Sequence, residues 1–342
     1  MNITHFEVSD EDKKILHSLS SNVGGLQQDK IDYIEENLSS STISRATKAE
    51  AVTVFVNSMV DKSIIDSLPN LKLIITRSTG FDHIDVAHAQ SKGILVCNIP
   101  AYGSRTVAEF TFALILTLSR KVFSAIEQIK FNKSWDVSNF EGFNLQGKTL
   151  GVVGTGRIGL NVIQIAKGFD MKIMAHDAFP NEDKAKAYGF EYSKSLEELL
   201  AASDIVTLHV PANPDTHHLI NLDNISKVKK GCMLINTARG DVIDPAALIK
   251  GLNEGILGGA GLDVLEGEHE LKEEAELMSS NHLSFEKLKV LLEDHELMDH
   301  PKVIITPHVA FNTREARTEI MTTTLTNLSG FMANEPQNVI TI

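Results

Sequence analysis

Cysteine is nearly absent: Cys97 and Cys232 are the only two among 342 residues, each inside an apolar run and without metal-ligand spacing. A disulfide framework and a cysteine-built metal site are excluded, and buried thiols in a reducing compartment are expected. A long apolar stretch is missing too. The longest, "FTFALILTL" from Phe110 to Leu118, is closed by Glu109 and Arg120 and is too short to span a bilayer. The opening "MNITHFEVSDEDKK" lacks both a cationic start and an apolar segment, so no signal peptide is expected and the cytoplasm is the expected compartment.

Positive charge is in short supply as well. Thirty-two Lys and Arg against 45 Asp and Glu leave a net charge of −13, which argues against nucleic acid or an anionic membrane as partner. Much of the surplus is local. Between Glu266 and Asp299 eleven acids face only Lys272, Lys287 and Lys289, and a run of one sign is expected to be a solvated insertion. No internal repeat or low-complexity segment occurs.

What is present is an ordinary globular balance, 42% hydrophobic and 23% charged, which supports a sizeable core in each of two domains at about 150 residues apiece. In the first hundred residues, β-like runs at Val52–Val56, Leu71–Thr76 and Gly93–Asn98 alternate with polar helical patterns. A long helix is expected over Ser104–Ser119, with Ser104 as N-cap. The pattern then restarts. Strands are expected at Thr149–Val153, Lys172–His176, Asp204–His209, Cys232–Asn236, Gly259–Leu262 and Val303–Ile305, with helices such as Arg157–Lys167, Ser195–Ala201 and Pro245–Asn253 between them. Such alternation predicts parallel sheets covered by helices. The tail, Thr313–Asn334, reads as one amphipathic helix.

"TLGVVGTGRIGLNV" places Gly154, Gly156 and Gly159 in the spacing G-x-G-x-x-G, after an apolar strand and at the start of a helix. Asp177 follows Gly159 by 18 residues, at the end of the next strand. Gly154 allows the tight turn, Gly156 lets a pyrophosphate approach the backbone, and Gly159 permits close helix packing. The helix N-terminus offers N–H groups and partial positive charge to phosphate. Asp177 would accept the ribose hydroxyls of NAD and repel the 2′-phosphate of NADP, and no arginine follows it in "DAFPNED". NAD is therefore the expected cofactor, and no metal is expected.

At "GVVGTGRIG", "LHVP" (Leu208–Pro211), "LINTARGDVID", "GLDVLEGE" and "TPHVAF", with "RSTGFDHID" and "NIPAYGSRTVAEFTFALIL" upstream, the chain resembles the D-isomer-specific 2-hydroxyacid dehydrogenases from about residue 50 onward. The "PAY" segment and the acidic insertion resemble the fermentative D-lactate dehydrogenase branch. The resemblance implies an α/β protein of two Rossmann-like, doubly wound parallel-sheet domains with an active-site cleft between them. A discontinuous substrate domain would span 1–103 and 310–342, and an NAD-binding domain 104–309. A homodimer built on the nucleotide domain, with Ser104–Arg120 contributing, is implied as well.

The same resemblance implies a catalytic set of Arg239, Glu268 and His308. A 2-oxo acid places a carboxylate beside a ketone, so its reduction needs an anion clamp, a proton donor and a hydride source. Arg239 offers a planar fork for the carboxylate. His308 can give a proton to the developing alkoxide near neutral pH, and Glu268 would orient the imidazole and favour its charged form. Glu266 is a rival. Glu268 is preferred because it stands 29 residues after Arg239, as the family spacing implies, although His269 rather than proline follows it. Leu265 replaces an aromatic often found in that loop.

Cofactor contacts implied by the match are Gly154, Thr155, Gly156, Arg157, Ile158, Gly159, Asp177, His209, Val210, Pro211, Thr237, Ala238, Arg239, Asp263 and Val107. His209 reads as a wall residue rather than a catalytic one. Thr79, Gly80, Tyr102, Arg239, His308 and Phe311 are implied on the substrate, the first two through backbone N–H groups. The expected reaction is NAD-dependent reduction of pyruvate to D-lactate. Reduction of glyoxylate, hydroxypyruvate or a larger or phosphorylated acid, with Arg77 and Arg105 as phosphate partners, is an alternative. An NAD(H)-sensing binding protein is another.

Overall fold

Five consecutive buried residues can be satisfied on both faces only in a strand covered from both sides. Cys232–Asn236 is such a run, and it forms an interior strand of a seven-stranded sheet. The structure is a computed structural model and describes residues 1–20, 30–268, 271 and 285–341. From the N-terminus come β1 (Ile3–His5), α1 (Asp10–Ser20), β2 (Ile31–Tyr33), β3 (Ala51–Val54), α2 (Lys62–Asp66), β4 (Leu73–Thr76), α3 (Val86–Ser91) and β5 (Leu95–Cys97). Next are α4 (Ser104–Ser119), α5 (Val122–Asn132), β6 (Thr149–Val153), α6 (Arg157–Gly168), β7 (Lys172–His176), α7 (Glu182–Tyr188), β8 (Glu191–Tyr192), α8 (Leu196–Ala202) and β9 (Ile205–Leu208). Then follow β10 (Cys232–Asn236), α9 (Pro245–Asn253), β11 (Leu257–Leu262), α10 (Phe285–Asp299), β12 (Val303–Ile305) and α11 (Arg314–Met332).

The chain divides into two compact units, Met1–Tyr102 with Asn312–Ile342, and Gly103–Phe311. In the first, all strands are parallel in the order β2-β1-β3-β4-β5. Val52, Val54, Ile74 and Val96 share one core with Phe6 and Leu38. α11 begins at Thr313, whose side chain accepts the Ala316 N–H, and it covers this unit beside α1. Arg317 anchors it, donating from Nη2 to Asp12 at 2.9 Å and from Nη1 to Glu11.

In the second unit the order is β12-β11-β10-β9-β6-β7-β8, again all parallel. Neighbouring residues of one strand feed opposite cores: Val206 and Leu234 enter one, Ile205 and Ile235 the other, as the two-residue period of a strand requires. β6 has β7 on one side and β9 on the other, so the winding reverses there, the arrangement that opens a crevice for a ligand.

Two expectations are corrected. Ser104 is the first residue of α4 and does not cap it; Gly103 occupies the cap, with no side-chain bond. The acidic stretch is not wholly a solvated insertion, because its last part folds as α10 and buries Leu291, Asp294 and Leu297. Residues 269–270 and 272–284 of that stretch lie outside the described residues.

Candidate active site

Parallel strands put all their carboxyl ends on one edge of a sheet. In the second unit the segments leaving β6, β7, β9, β10, β11 and β12 on that edge carry the 154–159 turn, Asp177, His209, Arg239, Asp263 and His308. These expected residues are therefore gathered on one edge by topology alone.

The glycine turn divides its work as the spacing implies. Gly154 has φ +93°, and a β-carbon there would lie 2.5 Å from the His209 carbonyl oxygen. On Gly159 a β-carbon would meet the Gly154 carbonyl oxygen at 2.0 Å. Gly156, the cap of α6, has nothing within 4 Å of that position, so no protein atom demands glycine there and a ligand can reach the main chain. Asp177 is held against the turn: Oδ2 accepts the Thr155 N–H at 2.6 Å and its hydroxyl at 2.7 Å, and Oδ1 accepts the Phe179 N–H at 2.9 Å. Burial acts to raise its carboxyl, but those donors outweigh it and hold the group below the usual aspartate range. Tyr192 completes the cluster, its hydroxyl 2.8 Å from Thr155 Oγ1. An open glycine, a helix start and an anionic acceptor together fit an NAD dinucleotide.

Beyond β9, His209 Nε2 lies 2.9 Å from Thr207 Oγ1, while Nδ1 is buried without a partner. Burial pushes its imidazole down to about 3, so the ring is neutral. Val210 packs beside Gly154; Pro211 is exposed and accepts the Thr216 hydroxyl at its carbonyl. Arg157 is exposed, and Ile158 packs against the α6 core.

His308 follows β12 and takes a left-handed backbone, φ +53°, a conformation that costs a non-glycine residue about 1 kcal/mol or more. Asp263 maintains it. The Asp263 carbonyl accepts the His308 N–H at 2.8 Å, and its carboxylate accepts Val309 N–H at 3.0 Å, Ala310 N–H at 2.8 Å and the Thr306 hydroxyl. Burial pushes the Asp263 carboxyl up, and these donors and His308 offset that only in part. At 1% exposure, with both carboxylate oxygens committed to this loop, Asp263 stands behind the histidine rather than on an open surface.

The imidazole itself is paired. His308 Nδ1 lies 3.0 Å from Glu268 Oε1 and 3.2 Å from Oε2. Glu266 takes a different histidine, His218, at 2.9 Å from Nε2. Both carboxylates are half-buried. The two histidines separate them.

Arg239 follows β10. Asn236 ties its loop, donating from Nδ2 to the Arg239 carbonyl at 2.8 Å and accepting the Ala238 N–H at 3.0 Å. The guanidinium Nη1 donates to the Ala238 carbonyl at 2.9 Å. Thr237 is linked through its hydroxyl to Thr111 of α4 at 3.0 Å, on the helix that also carries the buried Val107. Gly240 then packs backbone to backbone on Leu265, so the loop of Arg239 abuts the turn of Glu268. Leu265 is buried in the core and does not form an open wall.

In the first unit, Thr79 and Gly80 follow β4. The Thr79 hydroxyl donates to the Ile99 carbonyl at 2.9 Å, and its carbonyl accepts Asn98 Nδ2 at 2.8 Å. Among the described residues neither N–H of this pair has an acceptor within the protein. Tyr102 closes the first stretch of the unit and is half-buried; Phe311 closes the other unit beside Gly103. Arg77 is corrected as a phosphate partner: it is 1% exposed and donates from Nη2 to the carbonyls of Phe6 and Glu7. Arg105 is exposed and paired with Glu109 at 2.7 Å.

Residues 112–310 match the sequence model of the D-isomer specific 2-hydroxyacid dehydrogenase NAD binding domain. The chain belongs to the D-isomer-specific 2-hydroxyacid dehydrogenase family. It is an NAD-dependent oxidoreductase. Over 338 residues the dehydrogenase is 37% identical to the D-lactate dehydrogenase kk1H of Curvularia clavata, covering 98% of this chain and 94% of that one. It is 38% identical over 307 residues to an aromatic 2-oxoacid reductase of Clostridium sporogenes, covering 88% of each. The structure of D-lactate dehydrogenase from Aquifex aeolicus, complexed with NAD and lactic acid, superposes with a TM-score of 0.84 at 38% identity, covering 98% of this chain and 96% of that one.

Sequence reasoning missed several supports of this dehydrogenase. Asn236, Gly240, His218 and Tyr192 were not singled out. The signals for two were visible: a polar residue ending an apolar strand, and a glycine straight after the clamp arginine. Nothing local marks His218 or Tyr192, whose partners are 48 and 37 residues away.

Proposed function

We propose that this dehydrogenase reversibly reduces a small 2-oxo acid, pyruvate first, to the D-2-hydroxy acid. The observation that carries the reading is the pairing of His308 with Glu268 at 3.0 Å, on a turn packed directly against the loop of Arg239. Arg239 binds the substrate carboxylate through its fork of donors and polarises the adjacent ketone. In the other unit, Thr79 and Gly80 offer two N–H groups with no acceptor among the described residues, donors of the kind a carboxylate takes. His308 gives the proton from Nε2 to the carbonyl oxygen as it gains charge, and recovers it in the oxidation direction. Glu268 fixes the proton on Nδ1 and stabilises the imidazolium. Gly154, Gly156 and the start of α6 would hold the pyrophosphate of NAD and Asp177 its ribose; when bound, the nicotinamide supplies or accepts the hydride. Phe311, half-buried beside Gly103 in the unit that carries His308, is the side chain we assign to the substrate side chain.

A second copy of the chain is the partner we assign. α5 buries none of its residues, and Phe123, Ile126, Ile129 and Phe131 are exposed, with Trp135 83% exposed just beyond. Phe123 lines a groove of about 850 Å³ that also takes in Leu118, Phe140 and Met298. An apolar area of that kind marks an interface. Among the described residues no helix is long and apolar enough to cross a membrane, and a cytoplasmic location is proposed with the dimer.

The test is NADH oxidation followed with pyruvate, phenylpyruvate, glyoxylate, hydroxypyruvate and oxaloacetate, on the wild type and on His308→Gln. Pyruvate is expected to give the highest kcat/KM, and His308→Gln is expected to lose turnover while binding NADH normally. A preference for phenylpyruvate would move the substrate to the aromatic class; turnover surviving in His308→Gln would end the acid–base assignment.

A further inference from the structure

Asp294 lies on the inner side of α10, fully buried, and its Oδ1 has no hydrogen-bond partner. Leu291 and Leu297 are buried on the same helix. A carboxyl group among apolar neighbours costs free energy unless it does something that leucine cannot. Its other oxygen, Oδ2, accepts the Gly267 N–H at 3.0 Å. Gly267 stands between Glu266 and Glu268, and a β-carbon on it would fall 2.6 Å from that oxygen. Asp294 also lines a cavity of about 10 Å³ with Asn236, Gly240 and Glu266. One side chain therefore adjoins both the loop of Arg239 and the turn of Glu268.

We propose that Asp294 is a positioning residue of the active site, holding the Gly267 N–H and so setting the direction from which Glu268 reaches His308. The inference rests on the roles given above to Glu268 and His308. Hydrogen bonds weaken steeply off their axis, and the 266–268 turn has two carboxylates that must each find the right histidine. A fixed peptide between them prevents the exchange: Glu266 stays with His218 and Glu268 with His308. Burial pushes the Asp294 carboxyl up to about 7; the Gly267 N–H opposes this, the carboxylates of Glu266 and Glu293 add to it, and His295 opposes it. Leu248 of α9 and Leu262 of β11, which line the same cavity, bring no charge. The protonated form keeps one acceptor for Gly267 without burying a bare anion.

The experiment compares Asp294→Leu, Asp294→Asn, His308→Gln and wild type as full-length enzyme. Readouts are kcat and KM for the oxo acid reduced fastest, NADH Kd and melting temperature. Leucine suits the apolar surroundings, so folding is retained. Asp294→Leu is expected to lower kcat about tenfold, as for one lost hydrogen bond, with KM for the oxo acid and NADH Kd unchanged. Asp294→Asn, whose amide oxygen can still accept from Gly267, is expected to recover most of the loss. Wild-type kcat in Asp294→Leu, beside an inactive His308→Gln, would overturn this inference alone. So would an equal fall in both Asp294 variants that tracks melting temperature and NADH affinity. Turnover persisting in His308→Gln would overturn the acid–base reading and this inference with it.

Discussion

A β-carbon on Gly240 would sit 2.0 Å from the carbonyl carbon of Leu265. The loop after β10 and the turn after β11 are therefore in main-chain contact, and Arg239 and Glu268 are carried by neighbouring pieces of one packed unit. Gly240→Ala must drive these backbones apart. The expected result is a loss of about 1–3 kcal/mol in stability together with a raised KM for the oxo acid, read from thermal melts and steady-state kinetics. Unchanged values of both would show that the two loops can separate freely.

Glu268→Gln keeps the shape of the side chain and removes its charge. Reduction is expected to slow by about 10²- to 10⁴-fold. Glu266→Gln, which loses only its pairing with His218, is expected to cost far less. The reverse order of effects would exchange the two assignments.

Asp177 is the residue proposed to set the cofactor choice. Asp177→Ala removes the carboxylate that faces the turn through Thr155, and the preference for NADH over NADPH is expected to shrink by at least about tenfold, as for one lost charged acceptor. Initial rates with each cofactor measure it. A constant ratio would take the ribose role away from this residue.

Stability should carry a signature of Asp294. Its carboxyl rises from 3.8 to about 7, with burial the largest cause. Between those values the folded chain holds a proton that the unfolded chain has released, so the stability it contributes is whole below about pH 4 and is lost as pH climbs toward 7. In Asp294→Asn this loss is absent. The melting temperature of the variant relative to wild type is expected to rise from pH 4 to 7 and to level off above; a flat difference throughout would mean that the carboxyl is not shifted.

Association through α5 is checked by Ile126→Glu with Phe131→Glu. Wild type is expected to sediment as twice the 37.5 kDa chain, and the double variant as a monomer, because a charge cannot be buried unpaired in an apolar contact. A wild-type monomer would remove the dimer.

Strong periodicity was readable without coordinates. The bounds of β6, β7, β10, β12, α4 and α9 match those expected from apolar runs, caps and breakers, because in these elements local preference and burial agree. Short or polar elements were not readable. β1, β2 and β8 contain His5, Asp32 and Glu191 and are strands only because a neighbouring strand pairs with them. α5 was missed because its apolar residues point outward rather than into a core.

For the site, the amino-acid sequence alone determined three glycines and an aspartate placed for a dinucleotide at strand ends, and the resemblance to the family pointed to an arginine, a glutamate and a histidine in order. Those depend on neighbours in the chain and on the rule that parallel strands present one edge. Tertiary structure decided the pairings. Whether Glu266 or Glu268 meets His308, that Arg77 is buried, that Asp263 holds a loop and that Asp294 lies under Gly267 all turn on atoms tens of residues apart, and hydrogen bonds of about 3 Å are set by packing that no local pattern encodes.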